Sequence, residues 1–314
     1  MTSESTLQPF AKGDIFVGAT VLNNPDDDHA GDGRIIQYDS ELNEKGVLWT
    51  KGTTHLVGGL KFAPDGNLWA FDSHAYVVMR ITPEGERLPD VKFADKSFSN
   101  VNFAPNGNVY LGEHLVGNEI KLPPDRPLGT TLTRMPGTDR FGDGHVFEFT
   151  QDGELVREFN TESHGGMPGF LGVTSATLAA DGKTLIYMSE LGNRLFRYDV
   201  QAGEQLPDLI TYTPESGDMA MTACYQSDGS LLYIKANFRA GFFLEELDGD
   251  GNAVREWATQ GPGWAALGCS REPGKALIGN FFTGTVAKMD LDSGEIVASA
   301  ETDVKRSLAG IAQY

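Results

Sequence analysis

One short phrase recurs along this chain: an apolar stretch, a tight turn that ends in Gly, and a second apolar stretch. It reads FAPDGNLWAF at 62–71, FAPNGNVYLG at 103–112, LAADGKTLIYM at 178–188, YQSDGSLLYI at 225–234 and SREPGKALIG at 270–279. A repeat every forty to fifty residues, with several short strands in each, is the signature of an all-β propeller. The 38 glycines among 314 residues suit a chain that must turn this often.

Laid out in four-stranded antiparallel blades, the phrases are the A–B hairpins of blades two to six. In blade two, strand A is 58–63, strand B 67–71 and strand C 77–81, with strand D running to about Phe93. Blade three begins near Ser99, blade four near Leu171, blade five near Met219 and blade six near Trp264. The remaining pieces lie at the two chain ends. Residues 10–16 match an A–B turn followed by a strand B, and residues 308–314 match a strand A that stops where its turn should come. The expectation is one six-bladed β-propeller domain over 1–314, its first blade closed by the C-terminal strand. Blade three carries an insertion between strands B and C, at 115–144, placed like a lid. It holds Lys121, Arg126, Arg134 and Arg140.

The formal net charge of −19 disfavours nucleic acid and anionic membrane as partners and leaves a small-molecule substrate. No apolar run is long enough to span a bilayer. The first residues lack the basic start and apolar core of a signal peptide, so a cytoplasmic location is expected. The two cysteines, Cys224 and Cys269, read as small buried hydrophobes, with a disulfide or a reactive thiol as the alternative.

In such a fold the D–A and B–C loops share one face, and the longer, less regular loops here all belong to it. All six histidines fall there: His29, His55, His74, His114, His145 and His164. One reading is that loops simply hold more His than strands do. The other is that His55, His114 and His164, flanking strands A and B, hold one divalent ion (Zn, Ca, Mg, Mn or Fe). The strand-B ends form a second set, Asp72, Glu113, Lys235 and Asn280, with Ser189 and Glu190 in blade four and Ala19 in blade one. Packing alone has no use for these polar groups. They read as catalytic candidates (Glu113, Glu190, Asp72 and Lys235) or as carboxylates that share a divalent ion with imidazole, with a salt-bridge network around Lys235 as the alternative. His74, Asn100, Asn237 and Asn280 are the substrate-binding candidates. The acidic stretches 24–29 and 248–252 lack calcium-loop spacing and read as solvated.

The phrase 178–185 with Asn193-Arg194-Leu195-Phe196-Arg197-Tyr198-Asp199 resembles the NHL-repeat and regucalcin/gluconolactonase-like superfamily of six-bladed propellers. The resemblance implies a divalent-metal-dependent lactonase-like hydrolase. The lactonase ligand set itself is not matched: no Glu-Gly-Pro stands near the N-terminus, and Asn100 alone approximates the strand-opening Asn. Gly66-Asn67-Leu68-Trp69 with Arg80-Ile81-Thr82-Pro83-Glu84-Gly85 resembles the streptogramin lyase propellers, and three His on zinc would imitate the peptide-amidating lyase propeller. The expected function is therefore metal-assisted hydrolysis of a small lactone or ester, with a metal-assisted lyase or a non-catalytic binding propeller as alternatives.

Overall fold

A computed structural model describes residues 5–24, 31–50, 57–72, 77–94, 96–115, 131–132, 144–164 and 171–314; for 72, 77, 115, 131, 132, 163 and 164 it describes the backbone alone. The fold is all-β, a six-bladed β-propeller, with no helix among the described residues. The chain divides into two compact units, 1–92 with 226–228 and 263–314, and 93–225 with 229–262.

The first unit holds blades one, two and six. In blade one the C-terminal strand Gly310–Gln313 lies beside Ile15–Leu22, followed by Gly31–Tyr38 and Glu44–Trp49. Its register runs from Ile15 opposite Gln313 to Gly18 opposite Gly310. The expected closure is present. It is held by more than ladder bonds: the Gln313 amide donates to Glu272 Oε1 at 2.9 Å, and its oxygen accepts from the Arg271 N–H at 2.7 Å. The last ring, Tyr314, packs edge-on to Phe10 and tilted against Phe62. Blade two has strands Val57–Phe62, Leu68–Asp72 and Val77–Ile81, and two isolated bridges, Val78 to Val91 and Ile81 to Arg87, stand in for a full fourth strand. Blade six is regular, from Trp264–Gly268 to Ile296–Glu301.

Two apolar clusters fill this unit, one around Ile15, Val17, Ile36, Leu277 and Ile311, the other around Phe16, Ile35, Leu68, Met79 and Ala312. Successive residues of Ile15–Leu22 thus serve opposite faces of one strand, as the period of two requires, and both faces are covered. Close approach has a cost in side chains. A Cβ on Gly18 would sit 1.9 Å from the Val57 carbonyl oxygen, so only glycine fits there.

The second unit holds blades three, four and five. Blade three pairs Phe98–Phe103, Val109–Leu115, Val146–Phe149 and Leu155–Phe159, and the short strand Leu171–Gly172 adds itself to the far end of Val109–Leu115. Blades four and five are four-stranded, Ser175–Leu178 to Glu204–Thr211 and Met219–Tyr225 to Ala253–Ala258. Of the insertion at 115–144 only 131–132 is described together with its last residue and its first; it pairs with 163–164.

The repeated turn has a simple mechanism. In blade two the Gly66 N–H donates to the Ala63 carbonyl at 2.9 Å, and Asp65 Oδ1 accepts from the Asn67 N–H at 2.9 Å. Gly66 has φ +88°, which a side chain would strain. Blade three repeats the arrangement at Asn106-Gly107-Asn108.

The cysteines correct the sequence reading. Neither is a free thiol: Cys224 and Cys269 are both disulfide-bonded. Cys224 is also buried, so the expectation of a small buried residue describes its burial and misses its chemistry.

Candidate functional site

The polar residues that the structure brings together lie where blade three meets the entry to blade four. Glu113 is near the end of Val109–Leu115, and its side chain is fully buried. Its carboxylate accepts from Lys96 Nζ at 2.9 Å and from the Gly144 N–H at 2.9 Å. Burial pushes its carboxyl up and outweighs the lowering by Lys96, Gly144 and His145. The Glu113 backbone ties the neighbourhood together. Its N–H donates to the His145 carbonyl at 2.9 Å, and its carbonyl accepts from the Val173 N–H at 2.8 Å. Beside it, the His114 N–H donates to the Ser97 carbonyl at 2.8 Å, with His114 opposite Gly172.

Asn100 lies opposite Gly112 in the same blade. Its amide nitrogen donates to the Val173 carbonyl at 3.2 Å, while its side-chain oxygen is buried without a hydrogen-bond partner among the described residues. Gly112 makes room for it: a Cβ there would stand 2.6 Å from the Asn100 nitrogen. An unsatisfied buried acceptor is uncommon and marks a place where a donor is wanted.

From Val173 the chain leads to Glu190. The Thr174 hydroxyl accepts from the Glu190 N–H at 2.7 Å, and Ser189 Oγ donates to the Gly172 carbonyl at 2.7 Å. Glu190 follows strand Thr184–Met188, and the next residue, Leu191, has φ +62°, held there by its N–H on the Ala220 carbonyl at 2.7 Å. A leucine in that region is strained, and such strain persists only where the surroundings over-determine it. The half-buried Glu190 carboxyl makes no hydrogen bond or ion pair among the described residues. Burial alone pushes it up to about 8.

The other sequence candidates are placed as follows. Lys235 is engaged by Glu245 and by Glu256, the latter at 3.1 Å. Burial acts to lower its amine, yet the two carboxylates outweigh it and the net shift is upward. That is the salt-bridge network of the alternative reading, and it leaves no neutral amine for catalysis. Asn237 and Asn280 cap their own turns. Asn237 Oδ1 accepts from the N–H groups of Arg239 and Ala240 at 3.0 Å, and Asn280 Oδ1 from those of Phe282 and Thr283 at 3.0 and 3.1 Å. Their oxygens serve the backbone, which is a sufficient reason for Asn at both positions. Asp72 pairs with Val57 and Val77 through its backbone, and His164 with Thr131; neither side chain is among those described. His29, His55 and His74 lie outside the described residues. Among the described residues no group of three or more His, Cys, Asp and Glu could hold a metal ion.

Two features escaped the sequence. His145 Nδ1 lies 3.0 Å from Glu158 Oε1, with Nε2 buried and without a hydrogen-bond partner among the described residues. In blade two a bulge between Gly58 and Lys61 interrupts the inner strand, and burial pulls the Lys61 amine down to about 8. The bulge is foreshadowed only by Gly58-Gly59, and the His145–Glu158 pair by nothing local.

No family model matches the chain, and no curated protein does. Solved structures do. A nidogen/laminin complex structure aligns at TM-score 0.65 and 13% identity, over 96% of this chain and 98% of that one. A protein of unknown function from Bacteroides caccae aligns at TM-score 0.60 and 13% identity, over 96% and 98%. A catalytically inactive variant of virginiamycin B lyase from Staphylococcus aureus, with quinupristin, aligns at TM-score 0.53 and 15% identity, over 98% and 91%. Propellers of this form thus include an enzyme and a member of a protein complex, and at these identities the likeness is one of fold.

Proposed function

We propose that the chain is an enzyme that cleaves a lactone or ester of a small molecule, with Glu190 as the proton donor to the leaving oxygen. The observation that carries this reading is the Glu190 carboxyl: half-buried, without a partner among the described residues, next to a strained leucine, and pushed up to about 8. A carboxyl of that kind is protonated at neutral pH and has a proton to give, which suits an acid in ester cleavage. Asn100 Oδ1, a buried acceptor in search of a donor, supports a place for a substrate N–H or O–H on the same rim. Glu113, held by Lys96 and Gly144, orders the rim without transferring a proton.

One divalent ion belongs to the proposal. The described residues do not assemble a donor set, so it rests on His55 and His164 beside His114, and no step is routed through it. Bound there, such an ion would polarise the substrate carbonyl. Elemental analysis of the purified protein should find about one equivalent, reduced in His114→Ala; a metal-free protein with full activity removes the ion from the proposal.

The test is a panel of lactones and activated esters followed by acid release, with elimination followed in parallel by absorbance of a new double bond. Glu190→Gln should lower turnover by about 100-fold or more. An elimination product in place of an acid would favour the lyase reading, to which the fold likeness to virginiamycin B lyase lends support. No turnover, or a Glu190→Gln variant with undiminished turnover, leaves a binding propeller.

A further inference from the structure

We infer that Glu158 and His145 form a positioned carboxylate–imidazole pair whose free nitrogen, Nε2, is the proton acceptor of the site, with Glu190 as the donor. The inference rests on the proposed reaction and adds a residue to it.

His145 opens the third strand of blade three and is buried, with 7% of its surface exposed. Its Nδ1 stands 3.0 Å from Glu158 Oε1. An ionised carboxylate only accepts, so this contact places the ring proton on Nδ1 and the lone pair on Nε2. Nε2 is buried and meets no donor among the described residues. Leaving a buried acceptor unmet costs its full desolvation, so a structural role for this histidine is poorly served by its own geometry. A lone pair kept available, on a ring whose tautomer a carboxylate dictates, is the arrangement in which imidazole acts as a base.

The pair also sits in the right neighbourhood. The His145 carbonyl accepts from the Glu113 N–H, the Glu113 carbonyl from the Val173 N–H, and the Thr174 hydroxyl from the Glu190 N–H. The backbones of His145 and Glu190 are thus linked by two main-chain hydrogen bonds, the Val173–Thr174 peptide bond and the Thr174 hydroxyl, within one compact unit. The charged groups that face the ring are Glu158 from the outer strand and Glu113, with its partner Lys96, from the second strand.

The step balances as follows. A water gives one proton to Nε2 as its oxygen bonds to the acyl carbon. The acyl C–O bond breaks, and the leaving oxygen takes the Glu190 proton. His145 is left as imidazolium and Glu190 as carboxylate, and exchange with solvent removes a proton from the one and returns it to the other.

Two measurements test the inference. Nitrogen-15 spectra of the imidazole rings in the wild-type protein should show the His145 proton on Nδ1, and Glu158→Leu should abolish that preference. A proton found on Nε2 overturns the inference whether or not a substrate is known. In kinetics on the best compound of the panel, His145→Asn should lower kcat about 100-fold or more with KM within about twofold. Glu158→Gln, which keeps an acceptor oxygen, should lose less than Glu158→Leu. If His145→Asn retains full kcat while Glu190→Gln does not, the inference fails and the proposed function stands. If Glu190→Gln retains full kcat, the proposed function itself fails.

Discussion

At the scale of single residues, what sets the candidate side chains apart is whether their polar groups are satisfied. Glu113, Lys235, Asn237 and Asn280 are all buried or partly buried, and each has its partners. Glu190, Asn100 Oδ1 and His145 Nε2 have none among the described residues. Glu190 permits a signed prediction. Its carboxyl sits well above the ordinary value in the folded state, so the native protein holds a proton there that the unfolded chain releases. That contribution is fully present below the unfolded pKa, near 4, and is lost as pH rises through about 8. Glu190→Gln should therefore be more stable than wild type at pH 8, by on the order of 1 kcal/mol, with the difference vanishing by pH 4. Thermal unfolding at the two pH values measures it. Activity should decline as pH passes about 8, because the proton donor is lost. Gly18 is the opposite case, a residue set by packing: Gly18→Ala drives a Cβ into the Val57 carbonyl and should cost about 3 kcal/mol or more in urea unfolding.

At the scale of elements, the blade-five network shows how a strand triplet is locked together. Lys235, Glu245 and Glu256 come from three successive strands, and burial pushes the Glu245 carboxyl up. Lys235→Met removes the cation and leaves Glu245 buried beside Glu256. It should destabilise the protein by about 3 kcal/mol at pH 7, and by less at pH 4, where the Glu245 carboxyl, pushed up by burial, is protonated and needs no cation. Equilibrium unfolding at both pH values would show the difference. A loss equal at both pH values would mean that packing of the lysine stem, not its charge, matters. The outer strands tell a quieter story. Leu155, Val156, Val254, Ile296 and Val297 are exposed on them, as befits strands with one neighbour.

At the scale of the whole molecule, closure and covalent linkage decide stability. Strand Gly310–Gln313 supplies one edge of blade one, and Ile311 and Ala312 belong to two different apolar clusters. Removing 308–314 strips both clusters and exposes the edge of Ile15–Leu22. The truncated chain should melt far below the intact one, and an unchanged melting temperature would contradict the closure. Both cysteines being disulfide-bonded, reduction should also lower the melting temperature, by an amount corresponding to about 2–4 kcal/mol.

The repeated turn carried the fold because its chemistry is local. Asp, Asn or Pro before Gly and flanking apolar stretches are readable within ten residues, and five such phrases leave little choice of architecture. Even the shared first blade could be read, since half a repeat stood at each end. The strand ends were also legible, which is why Glu113 and Glu190 could be named as candidates. What those residues do was not, because it depends on partners far away in sequence. Glu113 meets Lys96 and Gly144, Lys235 meets Glu245 and Glu256, and Asn237 and Asn280 turn their oxygens onto their own backbones. His145 meets Glu158 through a cross-strand register that a bulge between Glu148 and Phe149 shifts by one residue. Strand order, and the strand ends at which polar residues collect, were written in the chain itself, because hydrophobic period and turn chemistry are short-range. Which polar groups are satisfied, that the cysteines are oxidised and which carboxyl keeps its proton emerged only on folding, because burial and hydrogen bonding are properties of neighbours in space.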